Sequence, residues 1–154
     1  MGHTLAEKIL AAKCDQKELF PGQFINARVD MVMASELSAI VTIEEFEKIK
    51  NARVFDPKKI LFVMDHFTPA KDIKSAEIVK QCREFAIKHG IRFYDVGRAG
   101  IQHILLPEKG LIAPGDLIAG ADSHTCTLGF IGAFGTGIGS TDAAVAMAIG
   151  EMWM

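Results

Sequence analysis

Five apolar residues in a row, Ile60-Leu61-Phe62-Val63-Met64, stand between Pro57 and Pro69. A half-exposed strand would alternate with polar side chains, and an amphipathic helix would interrupt the run, so it predicts a strand buried on both faces. Such a strand needs helices above and below it, which points to a parallel sheet in an α/β chain. The segments that follow agree. From Asp72 to Lys88 the apolar positions Ile73, Ala76, Val79, Cys82 and Ala86 recur every three or four residues, and His89-Gly90 supplies a helix stop. Phe93 to Val96 then reads as a strand, Pro107 to Gly115 as turns, and Leu117-Ile118-Ala119 as another buried strand. Strand, helix and strand at this spacing make a parallel crossover, so the predicted fold is a three-layer α/β/α arrangement around a largely parallel sheet.

The flanks add shorter elements. Thr4 and Glu7 form a capping box that opens a helix running to about Cys14, and Pro21-Gly22 breaks the pattern after it. Phe24, Val29, Val32 and Met33 suggest one or two strands around Asp30, and a second capping box, Thr42 to Glu45, predicts a helix carrying Phe46 and Ile49 that ends before Asn51. Ser140 caps a last helix whose residues Ala143 to Met154 are mostly apolar. A core helix ending in Met152-Trp153-Met154 looks cut, so residues 1–154 are expected to be the N-terminal portion of a larger catalytic region.

Charge and cysteine usage narrow the function classes. Among 154 residues, 17 Lys and Arg against 19 Asp and Glu give 17 − 19 = −2, interspersed, which argues against nucleic acid or a membrane surface as partner. No segment has the ~20 apolar residues of a membrane span, and Met1-Gly2-His3-Thr4 does not open a basic segment followed by an apolar run. Cys14, Cys82 and Cys126 are odd in number and include no CxxC pair, which suits reduced thiols and a cytoplasmic location.

Chemistry concentrates after the buried strands. Asp65-His66 follows Ile60–Met64, and Asp122-Ser123-His124 follows Leu117–Ala119, both at carboxyl ends, where ligands bind in open α/β sheets. His103 lies between them, in the Gly100 to Leu106 segment. A carboxylate beside an imidazole raises its proton affinity and fixes its tautomer, which is what a proton donor or acceptor near neutral pH requires. Either dipeptide alone would read as a turn; two at equivalent strand ends point to a site. His3 and His89 read as an ordinary N-terminal residue and a helix-terminal cation.

The glycine-rich stretch Gly129 to Gly139 lacks the third glycine of GxGxxG and the lysine of a Walker loop, so close backbone packing explains it better than a nucleotide. Ser123 has no GxSxG elbow around it, and Cys126 reads as a small hydrophobe rather than a nucleophile.

Taken together, Leu5-Ala6-Glu7-Lys8-Ile9, Asp65-His66-Phe67-Thr68-Pro69, Lys71-Asp72-Ile73-Lys74-Ser75-Ala76, Leu106-Pro107-Glu108-Lys109-Gly110, Ala121-Asp122-Ser123-His124-Thr125-Cys126-Thr127 and Gly139-Ser140-Thr141-Asp142 resemble the large subunits of 3-isopropylmalate dehydratase and homoaconitase, in the aconitase superfamily. The resemblance runs over the whole chain and implies an aconitase-like N-terminal domain of a [4Fe-4S] hydro-lyase. Such an enzyme isomerises a hydroxy-diacid or triacid by dehydration and rehydration, the cluster's open iron acting as Lewis acid. It implies that Asp65 and His66 assist departure of the hydroxyl, that His103 and Asp122 form a second pair, that Ser123 holds a substrate carboxylate, and that His124 is steered by a glutamate beyond this chain. The family's substrate-contacting glutamine falls near Ser35. None of Cys14, Cys82 or Cys126 matches a cluster ligand, so the chain alone is expected to hold no cluster and to be inactive. A separate small subunit is the implied partner, and leucine biosynthesis the implied pathway. Two alternatives stay open: homoaconitase of lysine or coenzyme B biosynthesis, and a zinc hydrolase binding metal through His66, His103 and His124.

Overall fold

The structure is a computed structural model that describes residues 2–154. Its centre is a five-stranded sheet in the order β4-β3-β2-β5-β6, built from β2 (Met31–Ser35), β3 (Ile60–Val63), β4 (Arg92–Tyr94), β5 (Leu117–Gly120) and β6 (Phe134–Gly137). All four pairings are parallel, as the buried run Ile60–Val63 demands. Alternate residues of each strand enter opposite layers. Val32, Ala34, Ile60, Phe62, Leu117 and Ala119 pack with the helices α1 (Leu5–Lys13), α2 (Glu36–Lys48), α3 (Ile73–His89) and α5 (Ser140–Ile149). Met31, Met33, Leu61, Val63 and Ile118 face α4 (Gln102–Glu108) and the 3₁₀ segment Ser123–Ile131. The fold is thus the predicted three-layer α/β/α sandwich.

The chain lays down β2, β3 and β4 in one direction and then returns to the other side of β2 for β5 and β6. Neighbouring β2 and β5 are therefore followed by connections that leave in opposite directions, and a crevice opens beyond their carboxyl ends. The site depends on this reversal.

Capping logic holds for α1 and α3 but not for α5, where Gly139 rather than Ser140 takes the cap position and no side chain caps the helix. Thr4 N–H donates to Glu7 Oε2 at 2.7 Å and Glu7 N–H returns to Thr4 Oγ1 at 3.2 Å, closing the expected box on α1. Asp72 caps α3 through Ser75 N–H, and Gly90 at φ +68 ends it. Several expectations need correction. The second helix begins at Glu36, not at Thr42, which is buried mid-helix with its hydroxyl donating to the Ser38 carbonyl at 2.9 Å. The apolar face of α2 extends upstream through Ala39, and tertiary burial outweighs the short capping signal. The segment holding His103 is helix α4, and Pro107, expected to open the turns, stands in its last turn. The β4 strand spans Arg92–Tyr94, stopping where Asp95 turns aside to hold Arg83 at 2.6 Å. Part of the glycine-rich stretch is strand β6. The last helix stops at Gly150, φ +74, and the chain then forms β7 (Glu151–Trp153), antiparallel to β1 (Asn26–Arg28).

Candidate active site

Both acidic dipeptides emerge at the crevice. Asp65 and His66 follow β3, Asp122 and His124 follow β5, and α4 delivers Gln102 and His103 between them. Together with Ile101, Cys126 and Thr127 they line a cleft of about 640 Å³. Its position at the carboxyl edge beside the reversal of strand order is where a doubly wound sheet binds ligands.

Each imidazole is tied to a carboxylate. His66 Nδ1 lies 2.7 Å from Asp65 Oδ1, and the Asp65 side chain is 8% exposed against 39% for His66. The hydrogen on that bond belongs to Nδ1, because the carboxylate can only accept, so the other ring nitrogen is left for the cleft. Asp65 Oδ2 accepts the backbone N–H of Gln102 at 2.7 Å. On the other side, His103 Nε2 lies 3.1 Å from Asp122 Oδ1, and the same oxygen accepts the backbone N–H of His124 at 2.6 Å. The His124 ring is exposed, 3.5 Å from Asp122 Oδ1 and 6.4 Å centroid to centroid from His103. Burial pushes the Asp122 carboxyl up. The N–H of His124, the His103 hydrogen bond and the charges of both imidazoles pull it down further, leaving it below the ordinary carboxylate range.

Two residues join the site that the sequence reading passed over. Glu36, fully buried at the start of α2, accepts the backbone N–H of Asp65 at 3.1 Å and that of Phe67. Its signal was available: a carboxylate follows the apolar run Met31–Ala34 as Asp65 follows Ile60–Met64. Gln102 is 1% exposed and has its side-chain amide 3.4 Å from His103 Nε2; nothing in the sequence around it marks it out.

Other expected positions are placed differently. Ser123 is exposed at the start of the 3₁₀ segment, next to the cleft without lining it. Ser35 is 2% exposed at the end of β2, where it is the N-cap of α2, and is not among the residues lining the cleft. His89 is no helix-terminal cation: it packs on Phe46 and Phe85, and burial, then Lys88, lower its proton affinity. For zinc, the geometry is adverse. Among the described residues, the group whose ligand atoms could share one ion is Glu36, Asp65 and His66, not His66, His103 and His124. Both Glu36 oxygens and both Asp65 oxygens in that group already accept hydrogen bonds.

The glycines behave as packing residues. A Cβ at Gly137 would sit 2.8 Å from the Asp122 carbonyl, and one at Gly120 or Gly135 would collide with Thr125. Strand β6 can lie against the 3₁₀ segment only without side chains there, which holds Asp122 and His124 at the crevice.

The aconitase family (aconitate hydratase) matches residues 7–154. The chain belongs to the aconitase family. It is 59% identical to the 3-isopropylmalate dehydratase large subunit of Thermodesulfovibrio yellowstonii, over 99% of this chain and 37% of that protein. The corresponding subunits of Moorella thermoacetica and Aquifex aeolicus are 56% and 54% identical, over 99% and 100% of this chain and 37% and 36% of their own lengths. The chain therefore spans little more than a third of the curated relatives it matches.

The family brings an iron-sulfur cluster into question, and the cysteines here do not fit one. Cys82 is buried in the core, its thiol pushed up to about 12 by burial and by the Glu36 carboxylate. Cys14 ends α1, and only Cys126 reaches the cleft. Among the described residues no three thiols converge, so the residues present do not fit a cysteine-held cluster. Nor, among the described residues, is any helix long and apolar enough to cross a membrane.

Proposed function

We propose that this chain is the N-terminal part of the large subunit of a 3-isopropylmalate dehydratase-type hydro-lyase, acting with a small subunit in leucine biosynthesis in the cytoplasm. The reaction removes a hydroxyl group and a hydrogen from adjacent carbons as water and returns water in the opposite sense. The observation that carries the reading is the meeting of Asp65–His66 and His103–Asp122 in one cleft, in an aconitase-family chain 54–59% identical to subunits of that name.

In this reading Asp65 fixes the His66 ring, so that its free nitrogen faces the cleft to give a proton to the departing hydroxyl and take one from water on the return. His103 and Asp122 form the second pair, and Asp122 also draws on His124. Ser123, exposed beside the cleft, is the carboxylate contact from this chain. A [4Fe-4S] cluster, where bound, supplies a Lewis acid for the hydroxyl, and its cysteines lie elsewhere in the complete protein. Isopropylmalate is preferred over homocitrate because the relatives carry that name.

The test uses the complete large subunit with its small subunit, offered 3-isopropylmalate and homocitrate in parallel. Turnover of the first and a loss of roughly 10²–10⁴-fold in His66→Ala, with cluster content unchanged, is the expected result. Turnover of homocitrate alone would move the assignment to homoaconitase, and near-normal rates in His66→Ala would remove that residue from the chemistry.

A further inference from the structure

Glu36 is a fully buried carboxylate, and no step proposed above uses it. It sits one residue beyond the end of β2, the strand beside β3, and its two oxygens take different peptide N–H groups: Oε2 that of Asp65 at 3.1 Å, Oε1 that of Phe67. Those two peptides flank His66 on either side. A buried charge is costly unless hydrogen-bonded, and here the partners are spent on one short stretch of backbone. The stretch carries His66 and is otherwise tied by the Thr68 hydroxyl, which donates to the Met64 carbonyl at 2.7 Å. Glu36, Asp65 and His66 also bring ligand-type atoms within 4.8 Å of one another, so the imidazole faces two carboxylates rather than one.

Resting on the reading that His66 is the proton donor, we infer that Glu36 is a positioning residue for it. The carboxylate clamps the backbone before and after His66 while Asp65 orients the ring, so the side chain presents its free nitrogen to the cleft in one pose. Glu36 touches no substrate in this account and acts entirely through His66.

A double-mutant cycle on the complete enzyme with its small subunit tests this. Glu36→Gln keeps the length but offers one accepting oxygen where two N–H groups wait. It should lower kcat roughly 10- to 100-fold, as loss of an outer partner that orients a functional side chain does, with little change in KM. In the His66→Ala background the same substitution should lower kcat less than about threefold further. Equal losses in both backgrounds, or near-normal kcat in Glu36→Gln, overturn the inference while leaving the role of His66 intact. Near-normal turnover in His66→Ala alone overturns the functional reading and this inference with it. If Glu36→Gln does not fold, Glu36→Asp, whose carboxylate falls one methylene short of the two N–H groups, carries the same cycle with the same outcomes.

Discussion

Gln102 and Asp65 stand 37 positions apart and are joined by one hydrogen bond, the Gln102 N–H donating to Asp65 Oδ2 at 2.7 Å. That bond ties the first turn of α4 to the turn after β3, and His103, the next residue of that turn, is bonded to Asp122. The two Asp-His pairs are thus linked through the backbone of α4.

Gln102 is the first residue of α4, and Ile101 before it has φ −58, ψ 123, a conformation that tolerates a following proline. Gln102→Pro therefore removes the N–H without breaking the helix, whereas Gln102→Leu removes only the side chain. The proline variant of the complete enzyme should turn over roughly tenfold more slowly than the leucine variant, given about 1.5 kcal/mol or more for a hydrogen bond to a charged group. Similar melting temperatures with separated kcat values are the expected pattern; equal kcat values would mean that the bond does not orient Asp65.

Asp122 is held below the ordinary carboxylate range in the folded chain, its hydrogen bonds outweighing its burial. The unfolded chain takes up the proton first as pH falls, so Asp122 contributes stability above about pH 4 that fades as the pH drops through and below that value. Asp122→Asn lacks this contribution. Urea midpoints measured from pH 7 down to pH 3 should show a gap between the two proteins that narrows toward acid, and a gap constant with pH would contradict the ionic role.

A methyl group at Gly135 would collide with the Thr125 carbonyl, which is backbone and cannot swing aside. Gly135→Ala should cost about 1–3 kcal/mol, the usual range for overpacking, and displace His124 with the 3₁₀ segment. Denaturant titration checks the first effect. Gly129→Ala, with open space around its added Cβ, is the control that should stay near wild type.

The three thiols should separate by reactivity. Cys126 is exposed and should react first with a thiol reagent at about pH 8, Cys14 more slowly, and Cys82, buried with its thiol raised to about 12, only in denaturant. Mass spectrometry of the labelled peptides gives the order directly.

Much of this arrangement was readable in the residues themselves. The double-faced apolar runs told of a parallel sheet, and a parallel sheet brings its carboxyl ends to one edge, so Asp65-His66 and Asp122-His124 had to share it. What stayed hidden was tertiary. Thr42 and Glu45 look like a helix start because a capping box is a four-residue signal, and only burial of Ala39 reveals that the helix is already under way. Gly150 looked like one more small residue in an apolar helix, until its positive φ and the pairing of β7 with β1 gave it the task of ending α5. Gln102 went unmarked because its partner is 37 positions away and no local pattern records such a bond; Glu36 carried a local cue in its place after Met31–Ala34, but its partner, 29 positions away, showed only in the fold.

The strand order also sets a timetable for synthesis. β2 is central in the sheet but precedes all its neighbours in the chain, so Met31–Ser35 emerges from the ribosome with both edges bare. One edge can pair as soon as β3 is made; the other waits until β4 and α4 have also been completed and Leu117–Gly120 arrives. An apolar edge left open this long invites pairing with another nascent chain. The same segment that covers this second edge of β2 leads into Asp122, so a chain stalled before Leu117 has neither that pairing nor the second Asp-His pair.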